Sequence, residues 1–116
     1  MENKVIGGWL PDRVDEEDYL YILDITSENE RYIKIGRSIT PERRYKSYRR
    51  SGWDVKVIGE IKDTHEFIFF LEQSLLDKFK TFKRKPTNLV KGLYKECLDF
   101  EVYPQIEHFL DRENAA

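Results

Sequence analysis

Cysteine is almost absent from this chain. Cys97 is the single cysteine among 116 residues, so no internal disulfide can form. Its nearest histidines along the sequence are His108, 11 residues away, and His65, 32 residues away, and neither separation is a zinc-ligand spacing. We therefore expect neither a disulfide framework nor a structural zinc site.

Long hydrophobic runs are also missing. The longest one, Phe67–Leu71, is far shorter than the ~20 apolar residues that a membrane helix requires. The first residues, Met1-Glu2-Asn3-Lys4, do not combine a basic stretch with an apolar run as export signals do. These absences predict a soluble protein of a reducing cytoplasm, with no membrane partner.

The size and the apolar content indicate a folded domain. A chain of 14.0 kDa fits one hydrophobic core, and 40% hydrophobic with 14% aromatic residues supplies enough apolar surface to fill it. We expect an N-terminal arm over residues 1–18, which contains Gly7-Gly8, Pro11 and an acidic cluster, followed by one domain over residues 19–116.

The net charge of −2 hides a strong segregation of acids and bases. Residues 1–30 hold nine acids and two bases, residues 31–50 hold eight bases and one acid, and residues 78–95 hold seven bases and no acid. Two basic segments in a near-neutral chain can form one positive face for a polyanion. They can equally be solvated helix faces, and charge alone does not decide between these readings.

Sequence patterns predict a small α+β domain. β-forming residues indicate three strands, Tyr19–Ile25, Tyr32–Gly36 and Val55–Ile61, the first two joined by a loop of about five residues. Capping and proline signals indicate helices from Pro41 to Arg50, from His65 to about Phe79, and from Pro104 to about Arg112, with a short extended piece from Tyr94 to Phe100 before the last one. The expected architecture is a three-stranded antiparallel sheet flanked by helices.

Glu72 stands out in the second predicted helix. At 100° per residue it lies about 40° from Ile68, on the flank of the apolar stripe that also contains Leu75 and Phe79. A half-buried carboxylate needs a cation or hydrogen-bond donors. The pattern leaves two interpretations open, a structural ion pair and a metal ligand.

Four elements follow one another in a characteristic order. They are Tyr19-Leu20-Tyr21 in the first strand, Lys34-Ile35-Gly36 ending the second, Arg44 eight residues after Gly36 on the first helix, and Glu72 on the next helix. Over roughly residues 18–100 this order resembles the GIY-YIG nuclease superfamily. Lys34 in place of a second tyrosine is similar to the branch found in phage and large-virus proteins and in some restriction endonucleases.

The resemblance implies a metal-dependent endonuclease acting on DNA in a bacterial, phage-infected or virus-infected cell. It implies that Tyr21 activates water, that Lys34 tunes or positions that tyrosine, that Arg44 clamps the phosphate, and that Glu72 holds Mg²⁺ or Mn²⁺. Further members of the site, expected to have less direct roles, are Tyr19, Arg37 and Tyr48. Basic residues expected on the nucleic acid are Arg37, Arg43, Lys46, Arg49, Arg50, Lys83, Arg84 and Lys85.

Two other functions remain as alternatives. The fold could be kept without turnover, as a nucleic-acid-binding or inhibitory module, or the acidic ends could serve a protein-interaction adaptor. RNA is the alternative to DNA as substrate, and specificity would come from loops, a homodimer or a protein partner. His65 is expected to be only a helix-terminal residue, His108 a surface or core residue, and Cys97 a small packing residue.

Overall fold

A computed structural model describes residues 15–87 and 97–115 of the chain. Three helices and a four-stranded sheet make up this part, with short 3₁₀ turns at Lys80–Phe82 and Phe100–Val102. The elements in chain order are β1 (Glu17–Ser27), β2 (Glu30–Ser38), α1 (Pro41–Arg50), β3 (Asp54–Thr64), α2 (His65–Lys78), β4 (Cys97–Asp99) and α3 (Tyr103–Ala115).

The sheet is antiparallel throughout, with strand order β3-β1-β2-β4. The α+β class and the flanking helices are confirmed, and the three expected strands are present with a fourth, β4, added to the sheet. β4 pairs only through Tyr32↔Asp99, Ile33↔Leu98 and Lys34↔Cys97. Three residues are too few to show a period of two, so the extended piece gave no sign of joining the sheet.

The hairpin between β1 and β2 is tighter than expected. Pairing continues through Thr26↔Arg31 and Ser27↔Glu30, which leaves a two-residue loop instead of five. Glu28 makes the turn with a φ of +36°, in the left-handed region. The polar residues near the hairpin turn look like loop residues in the sequence. Their backbones nevertheless pair across the two strands, away from the core.

Helices cover both faces of the sheet. α2 and α3 pack on one face, where Leu20, Ile22 and Ile35 meet Ile68 and Ile106. α1 packs on the other face, where Tyr21, Leu23 and Ile25 meet Tyr45 and Tyr48. Successive residues of β1 therefore serve two separate cores.

The helix boundaries agree with the capping signals. α1 begins at Pro41 and ends at Arg50, and Gly52 follows with a φ of +93°. α2 begins at His65, where the Thr64 hydroxyl accepts a hydrogen bond from the Phe67 N–H at 3.3 Å. No helix in the described residues is both long and apolar enough to cross a membrane.

Residues 1–14 and 88–96 lie outside the described part. The expected arm falls mostly there and remains a prediction, although β1 already begins at Glu17. The segment from Tyr94 to Glu96 also lies outside it.

Candidate active site

One end of the sheet brings five element ends together. β1 starts there and β2 and β3 finish there, as the pairs Tyr19↔Ser38 and Glu17↔Thr64 show. α1 and α2 begin immediately after these strand ends. Both helices therefore direct N-terminal N–H groups and the positive ends of their dipoles towards this end of the sheet.

A buried ion pair joins β2 to α2 at this end. The Arg37 guanidinium donates from Nε to Oε1 of Glu72 at 2.7 Å, and the two side chains are 14% and 7% exposed. The Gln73 side-chain amide donates to the same oxygen at 3.3 Å. Glu72 is thus satisfied by a cation, as its position on the flank of the apolar stripe requires.

A second buried pair joins β1 to α2. Nδ1 of His65 lies 2.9 Å from Oδ2 of Asp18, and both residues are buried. Asp18 also accepts the Tyr19 N–H at 2.8 Å through Oδ1, and the His65 N–H donates to the Glu16 carbonyl at 2.7 Å. Backbone and side-chain contacts together fix the orientation of both groups.

Arg37 links the two pairs into one ionic cluster, formed by Asp18, Arg37, His65 and Glu72. Its Nη1 lies 3.8 Å from Oδ2 of Asp18, and its guanidinium lies over the Phe69 ring, 5.1 Å from the centroid. One guanidinium therefore faces two carboxylates within a largely water-excluded site, where charges interact more strongly than in water.

The ionic cluster opens onto a pocket of about 230 Å³, here called the sheet-end pocket. Arg44, which is exposed on α1, reaches the same pocket. The lining residues are Glu16, Glu17, Asp18, Arg37, Ser38, Ile39, Arg44 and His65. Two arginines of different elements thus converge on one concave surface, beside three carboxylates, and their planar guanidinium groups are of the kind that binds phosphate.

The tyrosines lie under α1, on the other face of the sheet. Tyr21 is 2% exposed, and its hydroxyl lies 3.0 Å from that of the buried Tyr48. The ring of Tyr45 packs edge-on against Tyr21 with centroids 5.6 Å apart. Burial and a 2.7 Å hydrogen bond to Glu60 raise the pKa of Tyr45, which keeps its hydroxyl protonated.

Gly36 makes room for Tyr21. The two residues are cross-strand partners, and a Cβ on Gly36 would come within 2.5 Å of Cζ of Tyr21. The glycine therefore accommodates the tyrosine ring. Lys34 is buried and opposite Leu23, so it shares this face with Tyr21.

The structure brings together only part of the predicted site. Arg37 and Glu72 are in contact, and Arg44 joins Arg37 at the sheet-end pocket. Tyr21, Lys34 and Tyr48 lie on the α1 face, whereas Glu72 lies on the α2 face. Tyr19 is half-buried at the β1 end, on the same face as Tyr21.

Seven of the eight predicted nucleic-acid contacts are on the surface, whereas Arg37 lies in the largely buried ionic cluster. Exposed side chains on α1 are Arg43, Lys46, Arg49 and Arg50, and those of the basic loop are Lys83, Arg84 and Lys85. The Arg84 guanidinium lies 3.3 Å from a carboxylate oxygen of Asp99, and the backbone N–H of Arg84 donates to the Cys97 carbonyl. The basic loop therefore runs beside β4, at the sheet edge opposite to β3.

A divalent metal at this site would have a carboxylate ligand and few other protein ligands. Within the described residues, no three histidine, cysteine, aspartate or glutamate side chains are arranged to hold an ion. Mg²⁺ needs few protein ligands when water and substrate phosphate supply the rest. Glu72 offers such a carboxylate, although one of its oxygens now neutralises Arg37.

Sequence reasoning missed Asp18 and His65. Asp18 was placed at the border of an irregular arm and His65 was interpreted as a mere helix end, yet both are buried members of the cluster. Helix periodicity could have indicated the position of His65, because residues seven apart point in directions that differ by only about 20° around the helix axis. His65 is seven residues before Glu72, so the two share one face of α2.

Comparison with known proteins identifies the domain. A family model described as the T5orf172 domain matches residues 18–112, which is most of the chain and includes the whole ionic cluster. No curated protein and no solved structure matches the chain significantly. The chain therefore belongs to the T5orf172 domain family, a phage-associated domain related to nuclease-type modules.

Proposed function

We propose that this protein is a metal-dependent endonuclease that hydrolyses DNA at the sheet-end pocket, as a lysine-containing member of the GIY-YIG superfamily. The observation that carries the proposal is the convergence of Arg44 and Arg37 on one pocket, with Glu72 held directly behind Arg37. A nuclease needs this combination of planar cations for the phosphate and a carboxylate for a metal.

Arg44 is the outer phosphate ligand. Its guanidinium is exposed at the pocket, so it is available to a DNA strand, and its planar fork matches two oxygens of a phosphate. Arg37 lies deeper and is held by Glu72 and Phe69. In the transition state the two arginines stabilise the negative charge that develops on the phosphate oxygens.

Glu72 is the residue that would hold Mg²⁺ or Mn²⁺. Such an ion supplies charge stabilisation at the leaving oxygen when it is bound. The carboxylate is anchored on α2 by Arg37 and Gln73, so its position is set before substrate arrives.

Tyr21 and Tyr48 position α1. Their hydroxyls are joined beneath α1, which also carries Arg44 four residues before Tyr48. Residues four apart are neighbours on a helix, so the tyrosine pair sets the orientation of the turn that presents Arg44. Direct activation of water by Tyr21 would require this buried pair to open. Lys34, buried on the same face, would favour a phenolate if it did.

Basic side chains outside the pocket bind the DNA backbone. The outward surface of α1 and the loop Lys83–Lys85 present exposed cations that contact phosphates without reading bases. This contribution depends steeply on salt and gives little sequence preference.

A second function, a nucleic-acid-binding module without turnover, is favoured by one observation. The Glu72 carboxylate is already neutralised by Arg37 at 2.7 Å, so the ionic cluster is complete without a metal. Such a module would keep the arginines and the basic surface while losing catalysis.

Nicking of supercoiled plasmid at low salt separates the two. We expect cleavage with Mg²⁺ or Mn²⁺, none with EDTA, and none by Glu72→Ala. Salt-sensitive DNA binding without cleavage under every metal condition would refute the nuclease and favour the binding module.

A further inference from the structure

The Asp18–His65 pair has no role in the function proposed above. Both side chains are about 5% exposed, and both line the sheet-end pocket beside Arg37 and Arg44. Burial of a carboxylate and an imidazole is costly unless each is partnered. Here they satisfy each other at 2.9 Å within reach of a pocket that can hold a phosphate.

The pairing determines where the imidazole carries its proton. An ionised carboxylate only accepts hydrogen bonds, so Nδ1 of His65 donates to Oδ2 of Asp18. In the neutral ring Nε2 then has the lone pair and is the basic nitrogen. The Phe69 ring packs beside the imidazole with the two centroids 6.4 Å apart, and the backbone N–H of His65 donates to the Glu16 carbonyl.

Charged groups from the neighbouring strands and from α1 line the pocket together with the imidazole. They are Asp18 and Glu17 from β1, Arg37 from β2, Arg44 from α1, and Glu16 immediately before β1. The arginines hold the anionic substrate beside the ring, and Asp18 accepts the Nδ1 hydrogen bond that orients it.

We propose that His65 is the general base of the reaction and that Asp18 is its positioning residue. This inference rests on the proposed nuclease function. The oxygen of a water molecule forms a bond to phosphorus while its proton passes to Nε2 of His65. The bond from phosphorus to the 3′ oxygen breaks, and that oxygen takes a proton from solvent. His65 then returns its proton to solvent.

The location of Tyr21 strengthens this assignment. Its hydroxyl is buried under α1 and hydrogen-bonded to Tyr48, and Tyr21 does not line the pocket. His65 does line it, on the α2 face where the arginine–glutamate pair lies. A base must come within hydrogen-bond reach of the water it activates, and of these two buried groups the imidazole is the one that lines the pocket.

Single-turnover cleavage with imidazole rescue tests the proposal. We expect His65→Ala to cleave about 10²-fold to 10⁴-fold more slowly than the native protein at saturating DNA. Added imidazole should restore part of that rate, because a free base can occupy the space that the side chain leaves. His108→Ala, on the exposed side of α3, is the matched control and should respond to neither change.

Asp18→Asn tests the positioning role. Loss of the carboxylate should slow cleavage about 10-fold to 100-fold, and it should add little to the loss in His65→Ala because the two act as a unit. If His65→Ala loses its native circular dichroism, His65→Gln replaces it, since an amide hydrogen-bonds to Asp18 but cannot act as a base.

The outcomes separate the two proposals. If the native protein cleaves no DNA, the nuclease function and this inference are both refuted. A native protein that cleaves, with a folded His65→Ala of undiminished rate, overturns the inference alone. A slow, folded variant that imidazole does not rescue assigns His65 a structural role and also overturns it.

Discussion

Removal of the Arg37 guanidinium is expected to destabilise the fold strongly. The Arg37→Met variant keeps a long apolar stem over Phe69 but leaves Glu72, whose side chain is 7% exposed, without its cation. Breaking a buried pair from one side costs about 3–5 kcal/mol. Small domains have about 5–15 kcal/mol of stability in total, so the loss is a large fraction of it.

Urea unfolding followed by fluorescence of the buried Trp53 measures this loss. We expect a lower midpoint with an unchanged denaturant slope. The matched control is Lys62→Met, which removes a cation from an exposed pair with Glu17 at the same end of the sheet, 55% and 60% exposed, and should leave the midpoint unchanged.

The double variant Arg37→Met with Glu72→Leu completes the test. It replaces the Arg37–Glu72 pair by apolar side chains, while Asp18 keeps its contact with His65, so it should recover most of the stability that Arg37→Met loses. An Arg37→Met protein as stable as the native chain, or a double variant less stable than the single one, would refute the account of this pair.

Three further perturbations have definite expected outcomes. Gly36→Ala should lower the free energy of unfolding by about 1–3 kcal/mol and alter the near-ultraviolet circular dichroism of Tyr21. The control is Gly52→Ala, whose Cβ would meet open space. It should lower the free energy of unfolding by about 1 kcal/mol through its positive φ and leave that spectrum unchanged. Burial, with a hydrogen bond to Glu30, raises the pKa of Tyr32 to about 12, so this tyrosine ionises at lower pH in the unfolded chain than in the folded one. The unfolding midpoint should therefore fall between about pH 10 and 12, and it should fall less in Tyr32→Phe. Lys85→Gln should reduce the slope of log binding constant against log salt by about one in a DNA titration.

The sequence was most informative where one local signal decides the structure. Pro41 at the first helical position marks the start of α1, and Thr64, whose hydroxyl caps α2, marks the start of α2; both signals depend on neighbouring residues alone. β4 was not predicted as part of the sheet, since three residues show no periodicity and their pairing with β2 depends on distant chain segments.

The candidate site was partly predictable. The position of Glu72 on the flank of an apolar stripe called for a cation, but the identity of that cation depends on where β2 ends relative to α2. The Asp18–His65 pair joins residues 47 positions apart and could not follow from spacing. The separation of Tyr21 from Glu72 follows from the period-two alternation of β1 and β2, once α1 and α2 are known to cover opposite faces.

The central claim is that the sheet-end pocket is where the phosphodiester bond is cleaved. Arg44 lines that pocket, whereas its neighbour Arg43 is equally exposed on α1 and does not line it. The most direct test compares single-turnover cleavage by Arg44→Ala and Arg43→Ala with Mn²⁺ at saturating DNA. We predict that both variants bind DNA more weakly and that only Arg44→Ala loses cleavage, by about 10²-fold or more. Equal cleavage rates for the two variants would contradict the claim.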